Sequence, residues 1–409
     1  MFFLRKNYKQ FILICILLII LAYVTSIVYI RNSLILFQDE ELNIKSIWGM
    51  KLEETVEVGS NISKNKVSNN SETKKYNLSI FGFNFKSITT NIIPKTKVVP
   101  VGSLIGLKLY TEGVLVVGMS EIKGEDNKIY KPFENSGIEQ GDSIIKINEE
   151  KVTSTEELIA CISKFKGKPI EITYVKDGKV FETEIRPIKT SKNTYKLGLW
   201  VRDAEAGIGT VTFYDRTSNS FAALGHGIQD IDTGELVEIS TGEFVTATIQ
   251  NIEKGEQDNP GKIEGTIENG TEIGKIYSNT DFGVYGTNTN ISSLNISNIP
   301  EIEVASRNEI EIGKASVICA LEDGIRKEYE IEIQKIYINN NENNKSMVVK
   351  VTDKELLEKT GGIIQGMSGS PVIQNGKLIG ALTHVLVSDP TKGYALFADT
   401  MVSQLKSIE

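Results

Sequence analysis

Two histidines, His226 and His384, are all the imidazole that this 409-residue chain holds. Acid–base chemistry near neutral pH that needs an imidazole must therefore run through one of them. A three-histidine zinc site is excluded, and no H-E-x-x-H pair exists. Three cysteines (Cys15, Cys161 and Cys319) are too few and too scattered for a thiolate metal site or a disulfide framework. No metal and no cofactor are expected. The stretch 361–384, GGIIQGMSGSPVIQNGKLIGALTH, holds a serine among glycines, in Gly366-Met367-Ser368-Gly369-Ser370-Pro371. Glycines there let the backbone turn sharply, so that a hydroxyl protrudes while N–H groups converge beside it. Ser368 is the expected nucleophile, and the N–H groups of Gly366 and Ser368 are the expected oxyanion donors. The chemistry in view is acyl transfer; a plain Gly/Ser turn before a hairpin is the alternative.

The base is chosen by register. A two-residue turn at Asn375-Gly376 pairs Gln374 with Lys377. Extending that ladder sets Ser368 opposite Thr383 and Met367 opposite His384. Neighbouring strand residues face opposite sides, so His384 is expected to point away from Ser368, with Thr383 and His384 lying beside the substrate. His226, in Ala222-Ala223-Leu224-Gly225-His226-Gly227, follows a strand and is the expected base. Asp353 leads as the third member, although Thr352 and Glu355 form a capping pattern that gives it a plain helix-start role. Asp230 and Asp232 lie close to His226 in sequence, and Asp281 is a distant candidate.

The elements that must position these residues are mostly strands. Forty per cent of residues are hydrophobic and 24% charged, enough for sizeable cores in two or three domains. A net charge of −8 argues against nucleic acid as a partner. Residues 11–30, FILICILLIILAYVTSIVYI, are an uncharged apolar run preceded by Arg5, Lys6 and Lys9. They are expected to form a transmembrane anchor, with a cleaved signal peptide as the rival reading. Either places the remainder outside the cytoplasm. Residues 31–95 are expected to hold a few strands and a flexible polar spacer over 59–77. From 96 to 188 the order is strand, turn, capped helix (Ser154, Glu157), then a hairpin at Asp177-Gly178. From 190 to 350, within a domain expected over 189–409, short apolar runs alternate with Asn, Asp and Gly turns, as in a β-barrel or sandwich.

Several of these stretches resemble known families. Residues 96–188, with SGIEQGDSIIKINEEKV, resemble a bacterial-type PDZ domain. That likeness implies a peptide carboxylate held by the loop Gly102, Ser103, Leu104 and Ile105. It further implies a peptide strand beside Gly106 and Leu107, with helix 155–165 as the other wall. The GMSGSP loop resembles the nucleophile loop of trypsin-like proteases; Met367 and Gly362 stand where trypsin has its activation and specificity aspartates. The whole order, GIGTVTFYD…FAALGH, NIEKGEQDNPG and TDKELLEKTGGIIQGMSGSPVIQNGKLIGALTHVLVSDPTKGY, resembles the stage IV sporulation protein B peptidases over residues 96–409. The resemblance implies a triad of His226, Asp353 and Ser368 and a mainly β fold, with a PDZ domain before a trypsin-like barrel domain. It also implies action in the space between forespore and mother cell. There the family cuts a regulatory protein, and itself near its N-terminus, and so triggers intramembrane processing of a late sigma-factor precursor. An inert PDZ scaffold and a quality-control protease are the alternatives.

Overall fold

A computed structural model describes residues 11–18, 33–40, 50–54, 72–80, 83–267, 270–322, 324–338 and 344–408. Residues 11–18 are helical, a stretch of about 12 Å at 1.5 Å per residue, against the roughly 30 Å of a bilayer core. The rest of the expected span, 19–30, lies outside the described residues. Among the described residues no helix is long and apolar enough to cross a membrane. The expected membrane-spanning helix is therefore not borne out.

Strands Ser33–Phe37, Phe83–Ile93, Glu72–Ile80 and Met50–Glu54 make a four-stranded sheet in that order. The stretch expected to be a spacer thus ends in strand, because Lys74, Tyr76 and Leu78 alternate across the ladder with Thr90, Ile88 and Lys86. Phe37 and Ile93 are buried against Phe213, Met401 and Leu405, which ties the sheet to the C-terminal helix Ala398–Ile408.

Two closed antiparallel barrels follow. The first joins Leu104–Met119, Ile239–Thr246, Glu272–Thr280, Gly283–Asn288, Ser220–Ala223 and Leu199–Asp215, whose last strand pairs back with the first. The second joins Gly313–Glu322, Ile325–Ile336, Met347–Val351, Lys392–Phe397, Lys377–Val385 and Pro371–Gln374. Alternation of apolar and polar residues explains the second barrel directly. In Ile325–Ile336, Tyr329, Ile331 and Ile333 point inward among Val349, Val351 and Val372, while the intervening glutamates face water.

The two longest strands belong to two units at once. The outer part of Leu104–Met119 (Val114 onward) and the outer part of Leu199–Asp215 run on into a smaller sheet with Ser143–Ile147, Ile170–Lys176 and Lys179–Ile185. Helix Thr155–Lys164 covers that sheet, burying Leu158 and Ile162 against Val114, Ile144 and Ile172. At the joint Gly113 has φ 84°, and a Cβ there would stand 2.3 Å from the Ile144 carbonyl oxygen, so only glycine makes this bend. The small unit is therefore inserted into the first barrel. Residues from Leu104 to about Thr111, read from sequence as part of the 96–188 unit, are barrel residues, and Lys97–Pro100 adds to the barrel strand Leu199–Asp215. The capped helix and the Asp177-Gly178 hairpin, with Lys176 opposite Lys179, form as expected.

Candidate active site

The nucleophile loop enters the site from the second barrel. Gly366 (φ 96°) and Gly369 (φ 95°) flank Met367 and Ser368 in left-handed conformations. Met367 is fully buried in the barrel core, which anchors the loop and leaves the half-buried Ser368 facing out. The Ser368 Oγ donates to the carbonyl oxygen of Thr383 at 2.8 Å. Among the described residues the N–H groups of Gly366 and Ser368 donate to no carbonyl or side chain. They are available to a developing oxyanion, as the glycine spacing anticipates. Ser370 is fully buried, and its Oγ has no partner among the described residues.

His226 comes from the first barrel on a strained turn. Leu224 takes φ 69° and Gly225 φ 71°, and the Gly225 N–H folds back onto the Ala223 carbonyl at 2.9 Å. A leucine in this region costs on the order of 1–3 kcal/mol, and the reversal it makes turns His226 out of the strand end. A Cβ added at Gly225 would stand 3.0 Å from Thr383 Cγ2, so the turn packs closely on the residue that receives the Ser368 hydroxyl. His226 Nδ1 lies 2.8 Å from the Gly227 carbonyl oxygen. A carbonyl only accepts, so Nδ1 carries the proton and Nε2 keeps its lone pair for use as a base. Burial lowers the His226 pKa, opposed by that carbonyl contact.

The expected register holds only at the hairpin tip. Gln374 pairs with Lys377 and Ile373 with Leu378, but a bulge then shifts the ladder, so Val372 faces Gly380 and Pro371 faces Ala381. The one-residue slip moves His384 off its expected face. Its ring lies 5.1 Å from that of His226, tilted by 36°. Lost solvation, then the neighbouring His226 and Lys345, hold its pKa well below the usual imidazole value.

Ser368 thus reaches Thr383, while His226 lies beside His384, the next residue along that strand. Asp353 does not join them through any described contact. It caps helix Lys354–Thr360, accepting from the N–H groups of Leu356 at 3.0 Å and Glu330 at 3.4 Å. Asp353, and not Thr352, is therefore the capping side chain. Asp230 accepts from Arg202 and from the N–H groups of Asp232 and Thr233. Asp232 also pairs with Arg202. Asp281 is exposed at the turn between two barrel strands.

The expected carboxylate loop is also displaced. Ile105, Gly106 and Leu107 are paired on one edge by Gly209, Ile208 and Gly207 and on the other by Thr246, Val245 and Phe244. Leu104 pairs with Thr210, and Gly102 donates to Val211 while packing on Ile318 of the second barrel. Ser103 accepts from Val211. These residues close a barrel and leave no strand edge for a peptide. A groove runs instead where Leu199, Trp200 and Val201 pass Leu158, Ile159 and Ile162 of the helix. One edge of this strand pairs with Met119, Gly118 and Val116; no described strand takes the other. In sequence this strand start is marked by Lys196-Leu197-Gly198-Leu199, a glycine between leucines, with Gly198 at φ 81°.

Comparison with known proteins agrees with this division. The family model for the SpoIVB peptidase S55 matches residues 193–402, more than half of the chain, and that for the PDZ domain matches residues 112–186. The Clostridium perfringens (strain 13 / Type A) protein CPE1693 is 27% identical over 92 residues, 21% of this chain and 28% of that protein. Zinc metalloprotease RasP of Shouchella clausii (strain KSM-K16) is 32% identical over 80 residues, 20% of this chain and 18% of its own length. The chain thus spans under a third of either relative. Among solved structures, the HtrA-type protease AlgW with decapeptide is similar at 14% identity and a TM-score of 0.29, covering 50% of this chain and 54% of that one. With its barrels and inserted small unit, the chain belongs to the SpoIVB peptidase S55 family and carries a PDZ domain.

Proposed function

We propose that the chain is a serine endopeptidase that cuts a regulatory protein, and itself, in the signalling between forespore and mother cell that precedes sigma-factor processing. The observation that carries the chemistry is the Ser368 hydroxyl beside two uncommitted N–H donors, with a neutral imidazole, His226, presented from the facing barrel. His226 Nε2 takes the hydroxyl proton as Ser368 Oγ bonds to a peptide carbonyl carbon. The N–H groups of Gly366 and Ser368 hold the oxyanion. The imidazolium returns the proton to the departing amine, and a water repeats the sequence to free the acid. The Gly227 carbonyl fixes the imidazole tautomer in this resting arrangement, and the family's triad gives Asp353 the further role of steadying the charge. The intermembrane space as the place of action rests on the family likeness alone.

The open strand edge beside helix Thr155–Lys164 supports binding of an extended peptide by strand addition. In this reading the PDZ unit selects the protein substrate and leaves the chemical step unchanged. Replacing Trp200, 63% exposed at the groove, by serine should slow cleavage of a protein substrate several-fold and spare a short peptide.

Ser368→Ala should abolish self-cleavage and labelling by a fluorophosphonate, with a loss on the order of 10⁶ as for a subtilisin-type nucleophile. Ser370→Ala should retain both. Wild-type self-cleavage by Ser368→Ala would remove the assignment. An inert scaffold is the second reading, favoured by the Ser368 Oγ bond to Thr383 instead of to an imidazole. Absence of labelling in the wild-type chain would select it.

A further inference from the structure

Thr210, on the strand Leu199–Asp215, joins the two halves of the site. It is 2% exposed, lies in the first barrel and reaches the nucleophile loop of the second. Its N–H donates to the Ser368 carbonyl at 3.0 Å and its Oγ1 donates to the Gly366 carbonyl at 2.9 Å. Its own carbonyl accepts from Leu224, the strained residue two before His226, at 3.2 Å. At Gly369 a Cβ would come within 2.0 Å of the Thr210 oxygen, so loop and strand are in direct backbone contact.

The two carbonyls held by Thr210 alternate with the two oxyanion donors along the chain. Each peptide unit is planar, with C=O and N–H opposed. The Gly366 and Ser368 carbonyls lie in the units that follow those residues; their N–H groups lie in the units that precede them. Holding the carbonyls of 366 and 368 toward the first barrel fixes the plane on either side of the Met367–Ser368 unit and limits rotation of the donors. The hydroxyl matters beyond packing, because without it the part-buried Gly366 carbonyl would lose its described side-chain donor.

We infer that Thr210 is a positioning residue for the oxyanion hole, which aligns both donors through the Gly366 and Ser368 carbonyls. This rests on the acyl-transfer reading above. The Thr210 Oγ1–Gly366 bond is the part a side-chain change can remove, since the N–H bond survives any substitution but proline.

The test uses the full chain with Thr210→Val, Thr210→Ser and Thr210→Ala, compared in fluorophosphonate labelling and in self-cleavage. Losing one oxyanion donor outright costs about 10²–10³ in rate; misaligning donors should cost roughly tenfold to a hundredfold in Thr210→Val and Thr210→Ala. Thr210→Ser should stay within about threefold of wild type. The pH at which labelling falls to half should not move, because His226 is untouched, while the plateau drops. Should Thr210→Val fail to fold, the Ser and Ala variants, which differ by the hydroxyl alone, decide. Equal rates for Ser and Ala in folded protein would overturn the proposal while Ser368→Ala stays unlabelled. Labelling of Ser368→Ala at the wild-type rate would instead remove the parent reading, and this inference with it.

Discussion

The two barrels supply one group each to the proposed site, by opposite means. The second barrel is unbroken in sequence from Gly313 to Phe397, and its loop is set by glycines and the buried Met367. The first is interrupted by the PDZ unit, and it presents His226 on a turn that forces a leucine to positive φ. One half of the site is relaxed and contiguous, the other strained and assembled from distant segments. Strain at Leu224 persists because the Thr210 carbonyl of its own barrel accepts from its N–H while Thr383 of the second barrel packs against the turn. Part of the precision of the first half thus comes from the second.

The strongest test of that dependence is at the contact itself. A Cβ at Gly369 would lie 2.0 Å from the Thr210 oxygen and 2.5 Å from the Leu224 nitrogen, with φ at 95°. Gly369→Ala should push the barrels apart locally, cut kcat by at least a hundredfold and lower the melting temperature by several degrees. Gly376→Ala is the control, since φ there is 74° but nothing lies within 4 Å. It should cost only the left-handed strain, about 1–2 kcal/mol, with kcat unchanged. Equal kcat losses in the two variants would show that the barrels do not register through Gly369.

A smaller effect separates the two imidazoles. His226 acts while neutral, and burial lowers its pKa, so activity should persist somewhat below the ordinary value of about 6.5 and fall only at more acid pH. The same shift affects stability. Above about pH 6.5 the ring is neutral in folded and unfolded chains alike. Below it the unfolded chain takes the proton first, so stability falls until the folded pKa is passed. His384→Ala removes a ring 5.1 Å from His226 and admits water. The acid limb of the rate profile should then move up toward 6.5, with a modest change in kcat at pH 8. An unmoved limb would show that His384 does not shield the base.

How far the site was legible follows the same division. Gly366, Ser368 and the Asn375-Gly376 turn are local, and a short stretch of sequence carries them. His226 was found because few histidines exist. The facing of His384 was missed because a bulge between Val372 and Ile373 leaves no mark in a ladder counted from the turn. The first barrel was hidden for a different reason: Leu104–Met119 and Leu199–Asp215 pair with each other across the PDZ insertion, so no local pattern marks their partnership. Gly102 to Leu107 were read as a binding loop because a half-exposed strand and a barrel strand share the same apolar text.

Asp353 tests whether the second barrel supplies one group or two. Its carboxylate accepts one N–H at the helix start, from Leu356, and one from Glu330 on the neighbouring strand, which by itself accounts for an aspartate there. Asp353→Ala should therefore destabilise the chain by about 1 kcal/mol, read as a shift in the denaturant midpoint. Asn caps a helix about as well as Asp, so Asp353→Asn should keep the midpoint near that of wild type. The kcat of the Asn variant then reports the charge alone. A loss on the order of 10⁴ at unchanged stability, the size given by a triad aspartate, would bring Asp353 to His226 in the working enzyme and make the first barrel's histidine depend on the second barrel twice over. A kcat within about threefold of wild type would confine Asp353 to its helix, leaving the Gly227 carbonyl, from the histidine's own barrel, as the group that orients the base.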